Sequence, residues 1–80
     1  MYNIIKNMLE HHGMPSRDAV AVLNIAMEEI EPMVGRWNEI HDKSVVVLTW
    51  ITVKDIAIEY INDNRPNAWY RPMFMKEMEK

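Results

Sequence analysis

Cysteine is absent from this chain, and its absence removes two classes of stabilising site. Without thiols, the 80 residues can form neither a disulfide nor a cysteine-ligated metal centre. A chain of this length holds one domain at most, and such a domain buries only about 60% of its unfolded surface. Because 49% of the residues are hydrophobic, we expect surplus apolar surface to be covered by oligomerisation or by a partner.

Glycine and serine are also scarce, which limits the chemistry available. Gly13 and Gly35 are the only glycines, so no glycine-rich loop can cradle a phosphate. Ser16 and Ser44 are the only serines, and both stand at expected helix starts, where a capping role is favoured over a nucleophilic one.

Residues with metal-binding or acid–base chemistry are present but badly spaced. Glu10, His11 and His12 are consecutive, so on a helix their side chains point about 100° apart and cannot converge on one ion. Glu28 and Glu29 fall on a polar helix face, where solvent keeps carboxylates from the burial that acid–base catalysis requires. We therefore predict no catalytic residue, no metal ligand and no cofactor, and a protein that is not an enzyme.

The charge is weakly acidic and unevenly spread. Ten of the twelve acidic residues precede residue 65, whereas four of the nine basic residues follow residue 64. An acidic body repels phosphates, which makes nucleic-acid binding unfavourable. No segment reaches the ~20 apolar residues of a membrane span, and the beginning of the sequence does not resemble a signal peptide. These features predict no membrane association and a cytoplasmic location.

Helical periodicity begins near the start of the chain. Ile5, Met8, Leu9 and His12 repeat at the spacing of one helix face, which predicts a first helix over residues 2–12. Gly13 follows at the position where a left-handed residue usually ends a helix. Pro15 then prevents continuation of the helix.

The segment from Ser16 to Lys43 keeps one apolar face in phase with a helical period of about 3.6 residues. Pro32 lies inside it, on the polar side, and would remove one backbone hydrogen bond. The unbroken phase favours a single long helix kinked at Pro32 and softened by Gly35 over two helices that meet at residues 31–33.

Residues 45–62 combine β-branched composition with a helical pattern. Val45 to Val53 is rich in β-branched residues, which favours a strand. The polar residues nevertheless share one helical face, and Trp50 lies on the opposite, apolar face. We therefore expect a third helix capped by Ser44, antiparallel to the second, with Trp50 in the core or at an interface. A strand at 45–51, paired between two chains, is the alternative.

Residues 65–80 form a distinct, aromatic and methionine-rich segment. Trp, Tyr and Arg are the residue types enriched at interface hot spots, and Met is common at adaptable binding surfaces. On this basis we predict a partner-binding segment formed by Trp69, Tyr70, Arg71, Met73 and Phe74. The alternative is a tail that folds back and closes the helical bundle.

Together these patterns predict an all-α protein: a small three-helix bundle in residues 1–64 with a long kinked second helix, an antiparallel third helix and an aromatic C-terminal tail in residues 65–80. The predicted function is non-enzymatic protein binding, as a small regulator or inhibitor of a larger protein of the kind that phages or mobile elements encode. We also expect a homo-oligomer, with a dimer favoured. Two alternatives are a helix-turn-helix DNA-binding regulator with Gly13 in its turn, and a structural oligomer such as a virion component.

Overall fold

The computed structural model describes residues 1–34 and 37–78, and all regular structure within them is helical. The elements are α1 (Tyr2–His11), α2 (Ser16–Val34), a single 3-10 turn (Trp37–Glu39), α3 (Lys43–Asn64) and α4 (Arg71–Met78). This confirms the predicted all-α class and the small helical bundle. A fourth short helix, α4, is added to the three that were predicted.

The end of α1 follows from two backbone hydrogen bonds. The Gly13 N–H donates to the Glu10 carbonyl at 3.0 Å, and the Met14 N–H donates to the Leu9 carbonyl at 3.2 Å. This pattern is the Schellman motif, which requires a left-handed residue after the helix. Gly13 has φ +104°, as its place in the sequence predicted. Met14 and Leu9 are both buried in the core, as is usual for the apolar residues at these positions of the motif.

The predicted continuation of the second helix to Lys43 is wrong. Pro32 does lie inside α2, but α2 ends at Val34, only two residues later. The chain then makes the 3-10 turn at Trp37–Glu39, and residues 40–42 have no regular structure. The apolar pattern continues past the end of α2 because Trp37, which lies in the 3-10 turn, is buried in the core. This pattern therefore does not require a continuous helix. Gly35, which was expected to soften the kink at Pro32, lies outside the residues that the structure describes.

The cap of α3 also differs from the prediction. Asp42, rather than Ser44, is the N-cap, and its Oδ1 accepts a hydrogen bond from the Ser44 N–H at 2.8 Å. Ser44 therefore lies within the first turn. A carboxylate in this position satisfies a free N–H group and also interacts favourably with the positive end of the helix dipole.

The β-branched segment forms the first half of α3, which confirms the helical prediction over the strand alternative. Tertiary contacts override the local preference, because Thr49 and Val53 are buried against the rest of the bundle. Residues near the end of α3 contact the start of α2: the Tyr60 hydroxyl lies 3.4 Å from Asp18 Oδ1. Nearer the middle of both helices, Ile25 of α2 and Ile56 of α3 line one pocket, so the two helices are antiparallel.

A single core joins all four helices. Its largest fully buried side chains come from α1, α2, α3, α4 and the connecting segments: Trp37, Tyr70, Phe74, Ile5, Leu9, Met14, Leu23, Ile61, Val22 and Val53. Trp50 is partly buried and stacks on the His12 ring, with centroids 5.8 Å apart. Among the described residues, the C-terminal segment thus contributes two of the three largest fully buried side chains.

Replacing Pro32 tests how much the proline costs the fold. Pro32 is exposed and lies near the end of α2, so Pro32→Ala restores an N–H donor to the Glu28 carbonyl without disturbing the core. We expect the free energy of unfolding, measured by urea titration, to stay unchanged or to rise by up to about 2 kcal/mol. A clear loss of stability would show that Pro32 is required to turn the chain toward Trp37.

Candidate protein-binding surface

The C-terminal segment has an inward face and an outward face. Tyr70, Phe74 and Met78 are buried, and their spacing of four residues puts them on one side of α4. Pro72 lies in the first turn of α4, where its missing N–H costs no intrahelical hydrogen bond. The segment is therefore docked on the bundle through regularly spaced apolar side chains.

A buried carboxylate fixes this docking. Asp18, in the first turn of α2, is only 2% exposed. The Tyr70 hydroxyl donates to its Oδ2 at 2.6 Å, and the Arg65 Nε donates to its Oδ1 at 3.3 Å. With the Tyr60 hydroxyl 3.4 Å from Oδ1, one carboxylate connects α2 with α3, the connecting turn and the segment that leads into α4. We call these four side chains the Asp18 network.

The electrostatics of the Asp18 network favour a neutral Tyr70. Burial raises the pKa of the Tyr70 phenol well above its ordinary value, and the hydrogen bond to Asp18 and the negative charge of Asp18 raise this pKa further. Arg65 lowers it by a smaller amount. Tyr70 therefore remains a hydrogen-bond donor to Asp18 throughout the neutral range.

Two large side chains of the same segment point outward. Trp69 is 76% exposed and Met73 is 58% exposed. The Trp69 ring meets the Tyr70 ring edge to face, with centroids 5.7 Å apart. A Cβ placed on Gly13 would lie 3.9 Å from the Met73 Cε, so Met73 reaches the turn between α1 and α2. We call Trp69 and Met73 the tail surface.

An open cleft of about 300 Å³ lies beside the tail surface. It is lined by His11, His12, Gly13, Met73 and Glu77. The His12 Nδ1 is 3.8 Å from a Glu77 carboxylate oxygen, which forms an ion pair when His12 is protonated. The cleft thus places imidazole and carboxylate groups next to the Met73 thioether.

The predicted partner-binding residues divide between these two faces. Trp69 and Met73 are exposed, whereas Tyr70 and Phe74 are buried in the protein's own core. Arg71 is partly buried, and its Nη2 donates to the Asn62 Oδ1 at 2.9 Å. Only Trp69 and Met73 are thus available in full to a partner, and the binding role of the segment stays a prediction.

A second apolar surface, outside the predicted partner-binding residues, lies on α3. Val47, Leu48 and Ile51 are 58%, 67% and 50% exposed. Leu48 falls among polar residues on the helical wheel, and this was the available signal.

The described residues lack a metal-binding cluster and a membrane-spanning helix. No three His, Asp or Glu side chains in residues 1–34 and 37–78 are close enough to hold a metal ion. Over the same residues, no helix has both the length and the apolar character needed to cross a membrane. The exposed face of α2 carries Glu28 and Glu29, whose charge opposes contact with phosphates.

Comparison with known proteins identifies no relative. No family model matches the chain, and no curated protein or solved structure matches it significantly.

The Asp18 network is testable through its central acceptor. Asp18→Asn removes the charge and turns an amide N–H₂ toward the Tyr and Arg donors, so we expect the free energy of unfolding to fall by about 1–3 kcal/mol. Asp63→Asn, an exposed change in the last turn of α3, is the matched control and should change it by less than about 0.5 kcal/mol. Urea unfolding of the two variants would contradict the role of Asp18 if their stabilities were equal.

The raised pKa of Tyr70 predicts a loss of stability in alkali. Above pH 10.0, the ordinary pKa of this phenol, the unfolded chain releases the Tyr70 proton while the folded chain retains it. The stability that comes from the raised pKa is therefore complete below that pH and declines above it. Tyr70→Phe should have a lower free energy of unfolding than the wild type at pH 7. The difference between the two free energies should become smaller between pH 10 and pH 11. A constant gap, measured by urea unfolding across this range, would contradict the assignment.

Proposed function

We propose that this protein is a non-enzymatic protein-binding module that docks on a larger protein through the tail surface, and so regulates or inhibits it. The observation that carries the proposal is a tryptophan, Trp69, that is 76% exposed on a segment held by the buried side chains of Tyr70 and Phe74. Tryptophan is among the residues most enriched at binding hot spots. Exposed apolar area of this kind on a small domain is typical of an interaction site.

The way Trp69 is held supports the proposal. Its neighbour Tyr70 is fixed by the hydrogen bond to Asp18, and Phe74 is fully buried one turn later. The backbone that carries Trp69 and Met73 therefore loses little conformational entropy when a partner binds. The affinity for a partner is then determined mainly by the contacts of two side chains, the aromatic ring of Trp69 and the flexible thioether of Met73.

The charge distribution sets the kind of partner surface that fits. Arg71 and Lys76 lie in the segment, whereas most acidic residues lie on the body. We therefore propose a partner surface with an apolar pocket for Trp69 and an acidic rim, since rim charges steer association. The cytoplasmic location and the phage or mobile-element source stay predictions from the sequence.

Affinity capture from cells of the source organism tests the proposal. Trp69→Ala should keep the melting temperature of the wild type, because the side chain is exposed, and should weaken capture of the partner at least tenfold. Ile25→Ala, at a 39% exposed apolar position on α2, is the control and should capture the partner normally. Equal capture by wild type, control and Trp69→Ala would contradict a role for the tail surface.

The alternative functions give different results in direct assays. A DNA-binding regulator would bind a mixed-sequence duplex in fluorescence anisotropy at low salt, with an affinity that falls steeply as salt rises. A structural oligomer would sediment as a large assembly in the absence of other proteins. We expect neither behaviour, and either one would replace the proposed function.

A further inference from the structure

The exposed apolar side chains of α3 form a strip that the bundle leaves uncovered. The strip consists of Val47, Leu48 and Ile51, each at least half exposed. A shallow open depression of about 430 Å³ adjoins it and is lined by Lys43, Ser44, Val47 and Leu48. None of these side chains belongs to the tail surface, so the strip needs an explanation of its own.

Along this face, the exposed positions change from polar to apolar and back to polar. The exposed positions at helical spacing are polar at both ends and apolar in the middle: Ser44, Val47, Leu48, Ile51, Thr52 and Asp55. Their midpoint lies between Thr49 and Trp50. If a second copy of α3 lies antiparallel across this midpoint, Leu48 of each copy comes level with Ile51 of the other. Ser44 then comes level with Asp55.

Charge selects this antiparallel arrangement over a parallel one. Lys43 and Asp55 are exposed at opposite ends of the strip, and neither has an ion-pair partner within the part of the chain that the structure describes. Antiparallel pairing places Lys43 of one copy near Asp55 of the other, at both ends. Parallel pairing would set like charges side by side.

We propose that the α3 strip binds a second copy of this protein in an antiparallel, two-fold symmetric dimer. Such an interface is isologous, because the same residues contribute from both copies. Three partly exposed side chains offer less area than the ~800 Å² per partner of a standard stable interface. The dimer is therefore reversible, and it dissociates on dilution.

Sedimentation velocity over about 1 µM to 1 mM protein, a range that spans weak specific affinities, tests the proposal. We expect monomer at the dilute end and dimer at the concentrated end. Leu48→Glu should weaken the dimer at least tenfold, because it introduces a charge at the centre of the strip. Ile4→Glu, at a 46% exposed apolar position on α1, is the control and should leave dimerisation unchanged. A monomer at every concentration, or equal dimerisation of Leu48→Glu and wild type, would overturn the proposal.

Charge reversal tests the antiparallel register. Lys43→Glu and Asp55→Lys should each weaken the dimer, and the double variant should restore it. Because the protein has no native cysteine, a mixture of Ser44→Cys and Asp55→Cys chains should also form a disulfide between unlike chains in preference to like chains. Failure of the double variant to recover, or preferential linkage of like chains, would overturn the antiparallel pairing. Neither outcome affects the tail surface, which is tested separately by Trp69→Ala.

Discussion

One buried carboxylate holds the C-terminal segment against the rest of the fold. Asp18 accepts hydrogen bonds from the Tyr70 hydroxyl and the Arg65 Nε, which lie far from it in sequence. A charged group in this position is costly to bury unless its hydrogen bonds are made. The first turn of α2 supplies a favourable helix dipole, and the donors supply the rest. The C-terminal segment is therefore held on the bundle in two ways: its side chains donate the hydrogen bonds that buried Asp18 needs, and Phe74 is buried in the core.

This constraint links stability to the proposed function. Trp69 adjoins the residue that donates the shortest hydrogen bond to Asp18, so the position of the outward-facing tryptophan is set by an inward-facing tyrosine. A flexible arm with the same composition would lose entropy on binding, whereas this segment has already lost it on folding. The α3 strip lies on a different element and provides a second, independent surface for self-association.

Local signals in the sequence correctly predicted that α1, α2 and α3 are helices, but they predicted only some of the helix ends correctly. Gly13 marked the end of α1 because its left-handed backbone is a local requirement, and α3 was identified as a helix despite its β-branched residues. The second helix was predicted too long because Trp37 keeps the apolar phase from a 3-10 turn, which periodicity cannot distinguish from a helix. In the sequence, Asp18 cannot be distinguished from an ordinary first-turn acid, since its partners Tyr60, Arg65 and Tyr70 come from distant segments. For the same reason the sequence could not separate buried Tyr70 and Phe74 from exposed Trp69 and Met73.

Native-state hydrogen exchange tests most directly whether the C-terminal segment is part of the cooperative fold. The amide of Phe74, which donates to the Tyr70 carbonyl, reports on α4, and amides near Val53 report on the buried middle of α3. If the Asp18 network joins the segment to the bundle, the two regions should exchange with the same free energy of opening, and Asp18→Asn should lower that of Phe74 first. Exchange of Phe74 at the rate of an unprotected amide in the wild-type protein would contradict the account.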